Sequence, residues 1–163
     1  MPQLRMADLL SALSITMDLA MAHAPEQSVR ACLVAAGLAR QIGLPESEVA
    51  DVYYATLLRH IGCTATAHEE SALFGDELVL RPYAERTDPA SRRDSLALLL
   101  RTGQGTGVRR LGYLARTVRA GPAAEYAILR AICEVGSMLA DRLELGAPVT
   151  AALGQMLERW DGG

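Results

Sequence analysis

MADLLSALSITMDLAMAHAPEQSVRACLVAAGLARQIGLPESEVADVYYATLLRHIG, residues 6–62, reads as three helices in succession. In the first, from Met6 to about Met21, Leu9, Leu10, Leu13, Met17 and Ala20 recur at three- and four-residue spacing, the mark of an amphipathic helix. His23, Ala24 and Pro25 end it. The second is expected from Glu26 to Ile42, with Pro25 at its start, Gly43 as its C-terminal cap and a buried stripe of Val29, Leu33, Ala36 and Leu38. Pro45 opens the third, Glu46 to about His60. There Val49, Val52, Tyr53, Thr56 and Leu57 share the core side, Glu46, Glu48 and Asp51 stay in water, and Gly62 is the stop.

Beyond Gly62 the pattern is less regular. Residues 64–72 read as a short helix, Phe74-Gly75-Asp76 as a turn into another, and Pro82 to Pro89 as a loop. A helix over 91–101 precedes Arg101-Thr102-Gly103-Gln104-Gly105-Thr106-Gly107, too rich in glycine for a helix and expected to be a mobile connector. It lacks the GxxxxGKS/T pattern and the preceding strand of a phosphate loop. Helices over 108–119, 123–144 and 148–160 complete the chain. With one Phe, one Trp, abundant Ala and Leu, and no alternating β-branched runs, the expected class is all-α, a bundle of about seven to nine helices.

The length of 163 residues, half of them hydrophobic, suits one globular domain, 1–163, with a real core. All 16 basic residues are Arg, which fits a GC-rich bacterial genome and carries no mechanism. Against a net charge of −3, the segment 81–119 holds Arg81, Arg86, Arg92, Arg93, Arg101, Arg109, Arg110, Arg116 and Arg119 beside only Glu85, Asp88 and Asp94. Such a segment meets phosphates or an acidic partner, or else simply solvates helix faces. With Tyr83 and Tyr113 as its only stacking groups, nucleic acid is not the expected partner. Cys32, Cys63 and Cys133 stand far apart with no CxxC, so the expected setting is the reducing cytoplasm rather than a disulfide framework or zinc ribbon. Ala22-His23-Ala24 resembles a signal-peptidase site, but Asp8 and Asp18 interrupt the apolar segment before it. No apolar run reaches the roughly 20 residues a membrane span needs, so a soluble protein is expected.

Three further segments follow one another in a telling order. Tyr53-Tyr54-Ala55-Thr56-Leu57-Leu58-Arg59-His60-Ile61-Gly62 is similar to a helix ending in LLHDIG. Cys133-Glu134-Val135-Gly136, followed by Leu139 and Ala140, resembles HPEIGAELL. Glu158-Arg159-Trp160-Asp161-Gly162 looks like HHERWDGxGYP. These are segments of the HD-GYP branch of the HD superfamily, helical metal-dependent phosphodiesterases that act on cyclic dinucleotides. With Glu26-Gln27-Ser28-Val29-Arg30, similar to an EHS-type helix start, the resemblance spans roughly residues 10–163. It implies a compact HD-domain-like bundle and an active-site hollow lined by Gln27, Arg59, His60, Ile132, Met156 and Leu157.

The resemblance also says what is missing. Its members hold two or three metal ions with His and Asp side chains, and the metals activate water against a phosphodiester. Here Gln27 stands at the first His position, Arg59 and His60 at the HD pair, Ile132 at the third His, and Met156 and Leu157 at the His pair before ERWDG. Arginine has no lone pair to give a metal. The chain also stops at Gly163, which the resemblance reads as truncation before the Gly-Tyr-Pro. The expectation is a regulatory domain without catalysis or cofactor, acting through a small-molecule ligand, as a homodimer, or on another signalling protein.

Two alternatives stay open. His60, Cys63, His68 and Glu69 lie within ten residues and are competent ligands for Fe, Zn or haem, so a rebuilt metal or haem site is the second reading. The amphipathic first helix offers a dimerisation surface for a purely structural domain. Arg59 is expected to be a buried or half-buried cation paired with Asp51, Glu69 or Glu134, or else an anion-recognising group beside Gln27 and His60. His23 is expected to be exposed and without a partner.

Overall fold

The computed structural model describes residues 5–88 and 91–158. Among them are eight α-helices and no strand: α1 (Met6–Ala20), α2 (Gln27–Gln41), α3 (Glu46–Leu58), α4 (Ala67–Phe74), α5 (Glu77–Ala84), α6 (Arg92–Leu99), α7 (Arg110–Arg142) and α8 (Ala147–Gly154). The chain is all-helical, as the periodicity predicts. No helix among the described residues is long and apolar enough to cross a membrane. The contacts gather into two compact units: residues up to Thr64 together with those from Arg130 onward, and Ala65–Leu129.

In the first unit, Leu10, Cys32, Leu57, Leu58, Ile61, Ala140, Val149 and Leu153 form the core. A second cluster, Ala36, Ala39 and Val49, is covered by Leu44, Val52 and Tyr53. Burying each of the larger aliphatic side chains is worth about 1.5–3 kcal/mol. Helix α1 begins and ends as read, yet its buried face is not the leucine stripe. Leu10, Ser14 and Asp18, spaced by four, point inward, whereas Leu9 and Leu13 are exposed. The cause lies in α2. Both Asp18 carboxylate oxygens accept from the Ser28 amide, at 3.2 and 3.1 Å, and Oδ1 also accepts from the Ser28 hydroxyl. Orphan amides at a helix N-terminus are where a buried carboxylate is best satisfied.

That contact also sets the rotation of α2. With Ser28 facing Asp18, the buried stripe is Ser28, Cys32, Ala36 and Ala39. Leu33 and Leu38, read as core, are exposed instead. Helix α3 buries Val49, Leu57 and Leu58 and leaves Glu46 and Glu48 in water, while Asp51 is half-buried rather than exposed. It stops at Leu58, and a run of turns from Arg59 to Thr66 follows.

Among the glycines of this unit, Gly62 lies tightest against another backbone. A Cβ built there would lie 2.1 Å from the carbonyl oxygen of Ile132 and 3.2 Å from the amide nitrogen of Gly136, both on α7. Backbone atoms cannot swing aside as a flexible side chain does. Gly62→Ala is therefore expected to lower folding stability by about 1–3 kcal/mol, as overpacking does. A urea titration with a midpoint equal to wild type would contradict the close approach.

The second unit holds α4, α5, α6, a 3₁₀ turn at Gly107–Arg109 and the first part of α7. Asp76 caps α5 by accepting from the Leu78 amide, and Ser91 caps α6 by accepting from the Asp94 amide. Pro82, read as the start of a loop, lies inside α5. It costs that helix one hydrogen bond, and the helix ends two residues later. The glycine-rich segment 101–107 is turned and anchored: the Gly103 amide donates to the Phe74 carbonyl at 2.8 Å, and Thr102 is buried. Gly75 and Gly103 both have positive φ, +91° and +66°, and a Cβ on Gly75 would meet Gly103 Cα at 3.2 Å.

A buried ion pair ties α4 to α5. Arg81 Nε donates to Glu70 Oε2 at 3.0 Å, and the Thr66 hydroxyl donates to Glu70 Oε1 at 2.7 Å. The helices expected over 108–119 and 123–144 abut as α7, because Gly121 takes φ 66° and Pro122 restarts the helix without needing an amide. Helix α8 ends at Gly154, earlier than the residue 160 that periodicity suggests.

Candidate functional site

Helix α3 delivers Arg59 at its C-cap, and the turn after it presents His60 and Cys63. Arg59 Nε donates to His60 Nε2 at 2.6 Å. A guanidinium only donates, so Nε2 is the accepting nitrogen and the ring proton of the neutral imidazole sits on Nδ1. Nδ1 lies 3.7 Å from Cys63 Sγ, the geometry of an N–H directed at sulfur. Both ring nitrogens of His60 are thus engaged by neighbours within five residues of chain.

Arg59 is exposed rather than buried, and its partner is an imidazole rather than a carboxylate. Being at the C-cap, it turns out of the core where the helix ends. Glu134, one of the partners expected for it, is an exposed residue bound to Arg130 at 3.0 Å. His23, expected to be exposed and alone, is half-buried and meets the His60 ring edge-on, with centroids 5.1 Å apart. The turn after α1 carries it there, its amide donating to the Asp18 carbonyl.

The other residues of the proposed hollow are placed as follows. Gln27 is exposed at the start of α2, and Ile132 is buried on α7 with its carbonyl against Gly62. After α8, Met156 is exposed and Leu157 half-buried, and their backbone lies close enough to the Cys133 thiol to favour its thiolate. The structure therefore gathers the His60–Gly62 turn, Ile132–Cys133 and Met156–Leu157 within the first unit. Of the alternative metal set, His60 and Cys63 are neighbours, and His68 and Glu69 are exposed residues of α4 in the second unit. The Arg159-Trp160-Asp161-Gly162 part of the ERWDG-like segment lies outside the described residues.

Burial pushes the thiols of Cys32 and Cys133 above the usual range, since a thiolate is disfavoured away from water. Asp18, Glu70 and Arg81 are buried polar residues whose pairing has no local signature in the sequence. Their one signal was Asp18 standing on the Leu10-Ser14 face of an otherwise apolar helix. Comparison of the chain with family models, with curated proteins and with solved structures gives no match.

Proposed function

We propose that this chain is a degenerate HD-GYP-like regulatory domain, acting by binding a ligand or by associating with itself or another protein rather than by hydrolysing a phosphodiester. The observation that carries this reading is the Arg59–His60 bond. At the position where the resemblance puts the metal-holding HD pair, a permanent cation occupies the ring nitrogen of the remaining histidine. Both ring nitrogens of His60 already have neighbours, which speaks against a metal on that ring. Metal on His60 would first have to displace Arg59 or Cys63, which weighs equally against a rebuilt metal or haem site.

The scaffold side of the proposal draws support from Gly62. It seats the LLRHIG segment directly on Ile132 and Gly136, in the segment similar to HPEIG. The self-association side rests on the apolar residues that α1 leaves exposed, Leu9, Leu13 and Leu19. Incubating the protein with a cyclic dinucleotide and Mn²⁺ or Fe²⁺ tests the reading. No turnover above the metal-only control is expected, with either a thermal shift on ligand addition or a dimer by light scattering. Hydrolysis that is lost in His60→Ala would overturn it.

A further inference from the structure

The arginine-rich segment 81–119 is not uniformly solvated. Arg81 is buried on Glu70, Arg110 donates to the Leu100 carbonyl, and Arg116 donates to the Ala72 carbonyl at 3.3 Å. The Arg101 guanidinium carbon lies over the Tyr83 ring, 3.7 Å from its centroid. Arg86, exposed in the turn after α5, has no side-chain partner among the described residues. Arg86 and Arg101 both line one cavity of about 170 Å³ with Tyr83, Thr87, Asp94 and Leu98.

We propose that this cavity, within the second unit, is a binding site for a protonated oxyanion of the phosphate class, whether free phosphate or a small phosphomonoester. The proposal is independent of the reading of the His60 turn. Its volume equals about five or six water molecules at roughly 30 Å³ each, room for a tetrahedral oxyanion with one small substituent. Two guanidiniums supply paired N–H donors in the planar arrangement that oxyanions accept. The Tyr83 ring holds one of them in place. The Thr87 hydroxyl donates to the Tyr83 carbonyl at 2.9 Å, so it braces the turn instead of serving the ligand.

Asp94 sets the selectivity. Its side chain has no partner among the described residues, and a carboxylate in the lining repels a fully deprotonated dianion while accepting a hydrogen bond from a P–OH. A phosphomonoester loses its second proton near pH 6, so below that pH it still carries a P–OH, whereas sulfate has none. Phosphate is therefore bound and sulfate refused.

Titration of inorganic phosphate and of sulfate into the full chain at about pH 5.5 and matched ionic strength, followed by calorimetry, tests this. The expected result is saturable phosphate binding at least about tenfold tighter than sulfate. Arg86→Ala abolishes it, and Asp94→Asn brings sulfate up to the affinity of phosphate. Arg86 and Asp94 contribute nothing to the core, so both variants fold, as circular dichroism will verify. Equal affinity for the two anions in the wild type, unchanged binding in Arg86→Ala, or no saturable phosphate binding up to about 10 mM would overturn the proposal.

Discussion

Glu70→Ala is expected to cost about 3–5 kcal/mol of folding stability, the cost of removing one partner from a buried ion pair. The Arg81 side chain is 8 % exposed and Glu70 12 %, so the guanidinium loses its carboxylate where water cannot replace it. Thr66 loses the acceptor of its 2.7 Å bond at the same time. Glu70→Gln, which keeps the carbonyl oxygen, is expected to fall between wild type and Ala. Glu70→Met with Arg81→Met is expected to recover part of the loss, because no charge is then left behind. Urea unfolding of the four proteins measures these differences. A Glu70→Ala loss below about 1 kcal/mol would mean that the pair is in effect solvated, as exposed pairs are.

Asp18→Ala carries the second large effect, about 3 kcal/mol. Asp18 is fully buried, and its carboxylate satisfies both the amide and the hydroxyl of Ser28 at the start of α2. Hydrogen bonds to a charged group contribute about 1.5–3 kcal/mol, and the loss of an N-terminal cap costs about 1 kcal/mol. Asp18→Asn keeps an oxygen acceptor without the charge and is expected to lose less than half as much. Ser28→Ala removes only the hydroxyl and is expected to cost about 1 kcal/mol. If Asp18→Ala unfolds at the wild-type urea midpoint, the polar face of α1 does not hold α2 in its rotation.

These two sites mark where the sequence stopped being legible. Helix existence was readable because apolar spacing and the stops at Gly43 and Gly62 act within one or two turns of chain. Helix rotation was not, because the inward face of α1 is decided by Ser28, ten residues past Asp18 and on another helix. A window that counts hydrophobic residues assigns Leu13 and Leu33 to the core and Ser14 and Ser28 to water, the reverse of what the cap imposes. Gly121-Pro122 reads as a break, but a glycine with positive φ followed by a proline that needs no amide lets two helices abut.

The candidate site was legible to the same depth. His60 and Cys63 are three residues apart at a helix end, so their proximity followed from local geometry. That Arg59 bonds His60 required knowing that the C-cap turns its side chain out of the core. His23 reaches the same ring through the turn that follows α1, and no spacing rule connects residues 23 and 60. Nothing in the linear pattern distinguishes Arg81, held in the protein interior, from Arg86, five residues later on a cavity wall.

The proposal of a degenerate HD-like domain rests on Arg59 standing where metal would otherwise be held. Its most direct test is elemental analysis, with an absorption spectrum, of protein purified from cells grown with ample iron and zinc. The prediction is a colourless protein with less than about 0.1 metal ion per chain and no haem band. One or more ions per chain, lost on His60→Ala, would contradict the account and return His60 and Cys63 to the role of ligands.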